Sequence, residues 1–217
     1  MRRLALIGPN AVRPAAQGGG SAHVNPGHIV SPLEGLARVL GDDVGITVHP
    51  GVFPRTKLDA LTTVTDPVGG EPGVRLRYLD GDGSVLSEEH RDPALWWFPL
   101  ILDDAVTELS VQGVLELQVS GGHRLSVLGA GEFTLLVPGQ EPRSCDLRVD
   151  DPDVGELALN PPSHTFVVSS SAGSVPFEIR YRPQRDFPYP IALLGLGYAE
   201  PRGDDATEFA AAVEAAR

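Results

Sequence analysis

The residues of this 217-residue chain whose types and spacing could do chemistry fall into a few groups. The run Gln17-Gly18-Gly19-Gly20-Ser21 has the small residues that let a backbone wrap an anion. A phosphate cradle, however, needs Gly-Lys-Ser/Thr leading straight into a helix, so that N–H groups and a lysine meet the phosphates. No lysine follows here, and the next helix signal is at Ser31-Pro32. The glycines are therefore read as a tight path that permits positive φ. Trp96-Trp97-Phe98 is the densest aromatic cluster, bounded by Pro93 and Pro99. Exposed aromatic rings stack on sugar faces, but tryptophan also fills cores, and adjacent residues of a strand point to opposite faces. One ring is thus expected in the core, and the other is free for a ligand.

Acidic pairs occur at 42–43, 103–104, 150–151 and 204–205. Calcium takes about six to eight oxygen ligands, so a pair alone reads as a solvated turn. The six histidines lack H-x3-H spacing, and the one cysteine, Cys145, sits in no motif. No metal site and no cofactor is expected.

Composition narrows the partners. Seventeen basic against 29 acidic residues leave a formal charge of −12, which repels nucleic acid and anionic membranes. No apolar run approaches the length of a membrane helix, and the LALIG stretch is too short for a signal-peptide core. These features exclude nucleic acid and membrane as expected partners and leave the compartment open, with the cytoplasm slightly favoured. A single cysteine rules out an intrachain disulfide framework. Twenty-five glycines and 20 prolines imply many turns and a β-rich body.

The elements follow from periodicity. Residues 4–7 read as a buried strand, and Ser31-Pro32 opens a helix over 32–40 with apolar positions 33, 36, 37 and 40. Gly41 ends this helix, and 45–50 form a second strand, the start of a parallel α/β unit. From Val52 the pattern changes to hairpin signals: VRLRYLD-GDG-SVLSEEH, LELQV-SGG-HRLSVLG and HTFVVSSS-AG-SVPFEIRYR. Leu115, Leu117 and Val119 alternate with Glu116 and Gln118, as do Phe177, Ile179 and Tyr181 with Glu178 and Arg180. Three hairpins in series predict one antiparallel β-sandwich or barrel over about 55–198. Residues 204–217 form an alanine-rich helix whose apolar face, Phe209, Ala212, Val213 and Ala216, needs a partner. This pattern reaches Arg217 without a C-cap and reads as a cut through a longer protein.

The pieces IGPNA, QGGGSAHVNP, Ile29-Val30 and SPLEGL, in this order, resemble the opening of the C-terminal α/β sandwich domain of glycoside hydrolase family 3, the family of many β-glucosidases. The segment with GDGSVLSEE, the core at 113–127 and the late RYRP resembles a protective-antigen-14 domain, which in some members interrupts that domain. The resemblance thus implies a mainly β chain: 1–51 as the first part of the α/β domain, 52–200 as the inserted β domain, 201–217 as the return helix. Residues 4–50 and 204–217 should then pack together, with Leu33, Leu36 and Leu40 and Phe209 and Val213 covering a two-stranded sheet. In the family the nucleophile lies in a Ser-Asp-Trp-like motif on a separate barrel and the acid/base glutamate lies beyond Arg217. Neither maps to any residue here, so the chain by itself is expected to be non-catalytic. Gly19, Gly20 and Ser21, with Trp96 and Trp97, become candidates for the rim of the sugar pocket. The implied partner is a β-glucoside or oligosaccharide in the context of the full enzyme, and the incomplete α/β surface leaves room for a second copy of the chain. Asp103-Asp104 is similar to the calcium-binding pair of yeast adhesins with a related domain, without enough ligands to argue from. Pro138-Gly139 stands where the family commonly has Asp-Gly, which leaves that hairpin open. Two other readings stay open: a free-standing carbohydrate-binding or adhesion module, and a structural interaction domain.

Overall fold

The computed structural model describes residues 2–12, 14, 27–51, 57–92, 96–150, 153–186, 191–201 and 205–217. It divides into two compact units, one made of Met1–Thr56 with Arg202–Arg217, the other of Lys57–Pro201.

In the first unit, β1 (Arg2–Ile7) and β2 (Val44–His49) pair in parallel, Leu4 opposite Ile46 and Leu6 opposite Val48. The Gly8 N–H donates to the His49 carbonyl (2.9 Å) and extends the pairing by one bond. The helix α1 (Pro32–Leu40) starts on a capping box. The Glu34 N–H donates to Ser31 Oγ (3.1 Å) and the Ser31 N–H donates to Glu34 Oε2 (2.8 Å), so two otherwise orphaned donors are satisfied. Those bonds, led by the one from the Ser31 backbone, hold the Glu34 carboxyl below its ordinary pKa. Gly41, at φ 60°, closes the helix by donating to the Ala37 carbonyl. A second helix, α3 (Asp205–Ala215), packs on β1 and β2. It buries one residue of the expected face and leaves the others exposed. Ala212 is the buried residue, whereas Phe209 and Val213 are exposed, Phe209 at 58%. With only a two-stranded sheet beneath it, the helix makes its close approach through the small side chain, and the larger ones find no strand to cover.

The second unit holds two antiparallel sheets around one core. The larger has the order β11-β10-β13-β8-β5-β6, with β4 also on β8; the smaller has β12-β9-β14-β3, with β7 on β14. In chain order these are β3 (Asp59–Ala60), β4 (Val64–Thr65), β5 (Val74–Leu79), β6 (Val85–Arg91), β7 (Trp96–Ile101), β8 (Glu108–Leu117), β9 (Gly121–Leu128), β10 (Gly131–Leu136), β11 (Arg143–Asp146), β12 (Ser163–Ser170), β13 (Gly173–Pro183) and β14 (Ile191–Ala199). A six-residue helix, α2 (Val154–Leu159), is capped by the Asp153 side chain. Inward residues of both sheets, among them Leu76, Val111, Phe133 and Tyr181 from one and Leu125, Val168 and Leu196 from the other, form a single buried cluster. The mainly β, antiparallel reading of the sequence thus holds.

Two of the three expected hairpins do not form. Only β5 and β6 pair directly, around a turn in which the Asp80 carboxylate accepts from the N–H groups of Asp82 (3.0 Å) and Ser84 (2.8 Å). Across the SGG signal, β8 stays in the larger sheet and β9 enters the smaller one; across the AG signal, β12 and β13 do the reverse. The strands that pair are β8 with β13 and β9 with β12. The result is one long two-stranded ribbon, 108–128 against 163–183, bent over at a shared corner. Leu117 faces Gly173 and Gly121 faces Ser170, so 118–120 on one strand oppose only 171–172 on the other. That extra residue is a bulge, which turns the ribbon from one layer into the next. Gly121 and Gly173 take φ 144° and 130° at the corner, and the Ala172 N–H donates to Ser120 Oγ (3.0 Å), tying the two crossings together.

The open hairpin, β10–β11, does close, with Gly139 at φ 77°. At its base Phe133 and Tyr181 stack (centroids 4.3 Å apart), and Tyr181 donates to the Ala130 carbonyl (2.8 Å). A Cβ on Gly131, at φ 143°, would lie 2.2 Å from the Arg182 carbonyl oxygen, whereas one on Gly139 meets nothing within 4 Å. Gly139→Ala is therefore expected to cost only backbone strain, about 1 kcal/mol, and Gly131→Ala clearly more, about 3 kcal/mol, in urea unfolding. Equal losses would show that the close approach at Gly131 is not a constraint.

A second anchor is Asp66, 2% exposed, which accepts from the Val68 N–H (2.8 Å) and contacts Arg75 (3.0 Å) and His90 Nδ1 (3.1 Å). Burial pushes this carboxyl up, but the bonds from Val68, His90 and Arg75 outweigh it and hold its pKa at about 2 against 3.8. Asp66 in turn raises His90 above 6.5. The Asp66 contribution, about 2 kcal/mol, is present above pH 3.8 and lost as pH falls toward 2. The His90 contribution is present below pH 6.5 and fades as pH rises through the raised value. Asp66→Asn should flatten both limbs of the stability–pH curve measured by thermal unfolding; unchanged limbs would refute this coupling.

Candidate functional site

Of the residues expected at a pocket rim, Gly19, Gly20 and Ser21 lie outside the described residues. Trp96 and Trp97 fall in β7, opposite Gly195 and Leu194 of β14. Trp97 is half-buried and packs on the core of the second unit, in keeping with the core role expected of one member of the pair. Only the backbone position of Trp96 belongs to the description. The structure does not bring these candidates together into one described site.

It does assemble a polar cleft that the sequence reading missed. The cleft, about 900 Å³, opens where the ends of β10, β11 and β13 meet, and is lined by Glu132, Asp146, Arg148, Arg182, Arg185 and Asp186 with their neighbours. Its side chains come from segments far apart in sequence, joined by the order β11-β10-β13. The floor is fixed by Gln184, a buried side chain that acts as a substitute strand. Its Oε1 accepts from the Val149 N–H (2.9 Å) and its Nε2 donates to the Val149 carbonyl (2.8 Å). Its own N–H donates to the Ala130 carbonyl (3.0 Å). The segment after β11 is thereby clamped to the end of β13.

Three guanidinium groups around this floor are each held at one edge. Arg148 binds Asp146 through Nε (3.0 Å) and Nη2 (2.5 Å), with Glu132 at 3.2 Å. Arg182 donates Nε to Glu108 Oε2 (2.8 Å). Arg185 donates to the Val106 carbonyl. The signal in the sequence was faint: Asp146-x-Arg148 sets opposite charges two residues apart at the end of β11, and RYRPQRD alternates Arg180 and Arg182 outward.

Asp146 is held below its ordinary pKa, first by the Arg148 side chain and then by its N–H. In Glu89, burial raises the carboxyl but bonds from Tyr78 and Arg91 bring it down. With Glu34 and Asp66, every resolved carboxyl shift among the described residues is downward. Burial pushes the Cys145 thiol up to about 11, which disfavours its thiolate. Among the described residues no three His, Cys, Asp or Glu side chains cluster as metal ligands, and no helix is long and apolar enough to cross a membrane.

No family model matches the chain. Its curated relatives are β-glucosidases. β-Glucosidase B of Emericella nidulans is 28% identical over 145 residues, which is 64% of this chain and 17% of that protein. A β-glucosidase of Rhizobium radiobacter matches with the same identity and coverage. One of Kluyveromyces marxianus is 47% identical over 60 residues, 28% of this chain and 7% of that protein. This chain therefore spans less than a fifth of the length of these relatives. Among solved structures, the crystal structure of a Kluyveromyces marxianus β-glucosidase in complex with glucose has a TM-score of 0.61 at 18% identity, covering 97% of this chain and 27% of that one. This likeness extends the relationship to the fold.

Proposed function

From the similarity of this chain to one stretch of several β-glucosidases, we propose that it is a non-catalytic region of a β-glucosidase-like enzyme of glycoside hydrolase family 3. In this reading, 1–51 and 201–217 are two parts of its C-terminal α/β domain, and 52–200 is a protective-antigen-14-like insertion. The observation that carries it is the discontinuous first unit, built from Met1–Thr56 with Arg202–Arg217. An inserted domain must begin and end side by side so that its host can rejoin. Within the second unit this condition is met: Asp59 pairs with Tyr198 at the β3–β14 ladder.

The inserted unit shapes the mouth of the sugar pocket and sets which β-glucosides or oligosaccharides enter it, the glycine loop and Trp96-Trp97 contributing to its rim. The nucleophile and acid/base come from other parts of the enzyme. The first unit keeps Val39 82% exposed along with Phe209, an apolar surface for the rest of the host domain or a second copy of the chain.

The isolated chain is expected to release no p-nitrophenol from an aryl β-glucoside above a heat-denatured control. Its encoded reading frame is expected to place a (β/α)8 barrel with a Ser-Asp-Trp-like motif upstream. Turnover by the repurified chain would overturn the non-catalytic assignment. A flanking frame without a barrel would leave a free-standing carbohydrate-binding module as the reading.

A further inference from the structure

We propose that the cleft at the ends of β10, β11 and β13 is a binding site for a short neutral oligosaccharide. The cleft is an open groove, and its volume of about 900 Å³ leaves room for a small organic ligand. Its chemistry selects the ligand class. The lining carries Arg148, Arg182 and Arg185 against Glu132, Asp146, Asp150 and Asp186, so the wall offers donors and acceptors in near balance with a slight negative excess. An anion gains little there, because carboxylates already neutralise Arg148 and Arg182. A cation finds no cluster of ligands among the described residues. A neutral molecule dense in hydroxyl groups, each both donor and acceptor, matches such a wall.

Arrangement adds to composition. Arg148 is held through Nε and Nη2, and Arg182 through Nε, which leaves Nη1 of each without a hydrogen-bond partner among the described residues. Both side chains are more than half exposed, at 56% and 68%. A planar group fixed at one edge offers the other without losing rotamer freedom on binding, and its paired N–H groups span two adjacent hydroxyls. The Gln184 clamp on Val149 keeps the wall between them rigid.

Position separates this cleft from the base of the unit. The chain leaves the unit at Pro201, whose side chain lies 2.9 Å from where a Cβ on Gly121 would sit, at the ribbon corner. The cleft lies at the other end of the eleven residues of β13, roughly 30 Å away. A sugar held there would be gripped at the end of β13 opposite the ribbon corner. The proposal takes only its choice of probe, a β-linked glucose disaccharide, from the enzyme reading above.

The test is amide NMR of the full 217-residue chain titrated with cellobiose, laminaribiose or sodium sulfate. Shifts at 148–150 and 184–186 are expected with a disaccharide and not with sulfate. Arg148→Ala should weaken binding about tenfold, Arg182→Gln should weaken it too, and Arg77→Ala, outside the cleft, should not. Three outcomes would overturn the proposal: no shift with either sugar, a sulfate response at the same amides, or affinity unchanged in the folded Arg148→Ala and Arg182→Gln variants. None of these bears on the enzyme reading, which the flanking reading frame decides independently.

Discussion

The second unit depends on the bulged corner of its long ribbon. Strands 108–128 and 163–183 pair along both limbs, and the bulge at 118–120 against 171–172 directs one limb into each sheet. Because the two crossings are bonded to each other through Ser120, neither strand can change layers alone. Every other strand is placed by this pair. The larger sheet adds β10 to one side of β13 and β5 to the far side of β8, and the smaller adds β14 beside β9. The core is what the two limbs enclose, with Leu115 and Ile179 on one and Leu125 and Phe166 on the other.

The same corner explains where sequence reading succeeds and where it fails. Strand character around 115–119 and 177–181 was legible because alternation there depends only on which face is buried, although β8 itself ends at Leu117 and Val119 is exposed. The partners of these strands were not legible, because a glycine-containing break between two alternating runs serves a hairpin or a sheet-to-sheet corner equally well. At β5–β6 the distinction was local: Asp80 accepts two backbone N–H groups, as in a closed turn. At 118–121 nothing local decides, and the bulge is set by burial on both layers. The capped helix at 32–40 and the parallel pair of β1 and β2 were readable for the opposite reason, since Ser31, Glu34 and Gly41 act within one turn of the helix. The cleft was missed because its short-range signals are faint and Glu132, Arg148 and Arg185 become neighbours only through strand order. The apolar face of α3 was legible, but not that Ala212 alone of it would be buried, because periodicity marks which residues are apolar, not which of them finds a surface.

Charge organises the surface as hydrophobicity organises the core. Across the larger sheet, Arg77 and Arg75 meet Glu88, Arg180 and Arg182 meet Glu108, and Arg148 bridges Glu132 and Asp146. Exposed pairs of this kind each add little stability. They do hold arginines in set positions on a chain whose overall charge is −12. Asp66 is the exception that stabilises, since the carboxylate itself is buried at 2% exposure and its partner Arg75 is only 18% exposed.

The short β3–β14 ladder, only two residue pairs long, has a consequence for the order of folding. The helix α3 must find β1 and β2 across the whole of Lys57–Pro201. As an unstructured loop, that stretch would oppose the encounter by about 4 kcal/mol of closure entropy. Once the second unit has folded, the ladder holds its two ends together and the span behaves as a short linker. The first unit should thus be the last to form, in a reaction whose rate is set by its neighbour, and a lesion at the ribbon corner would delay a helix in which it has no part.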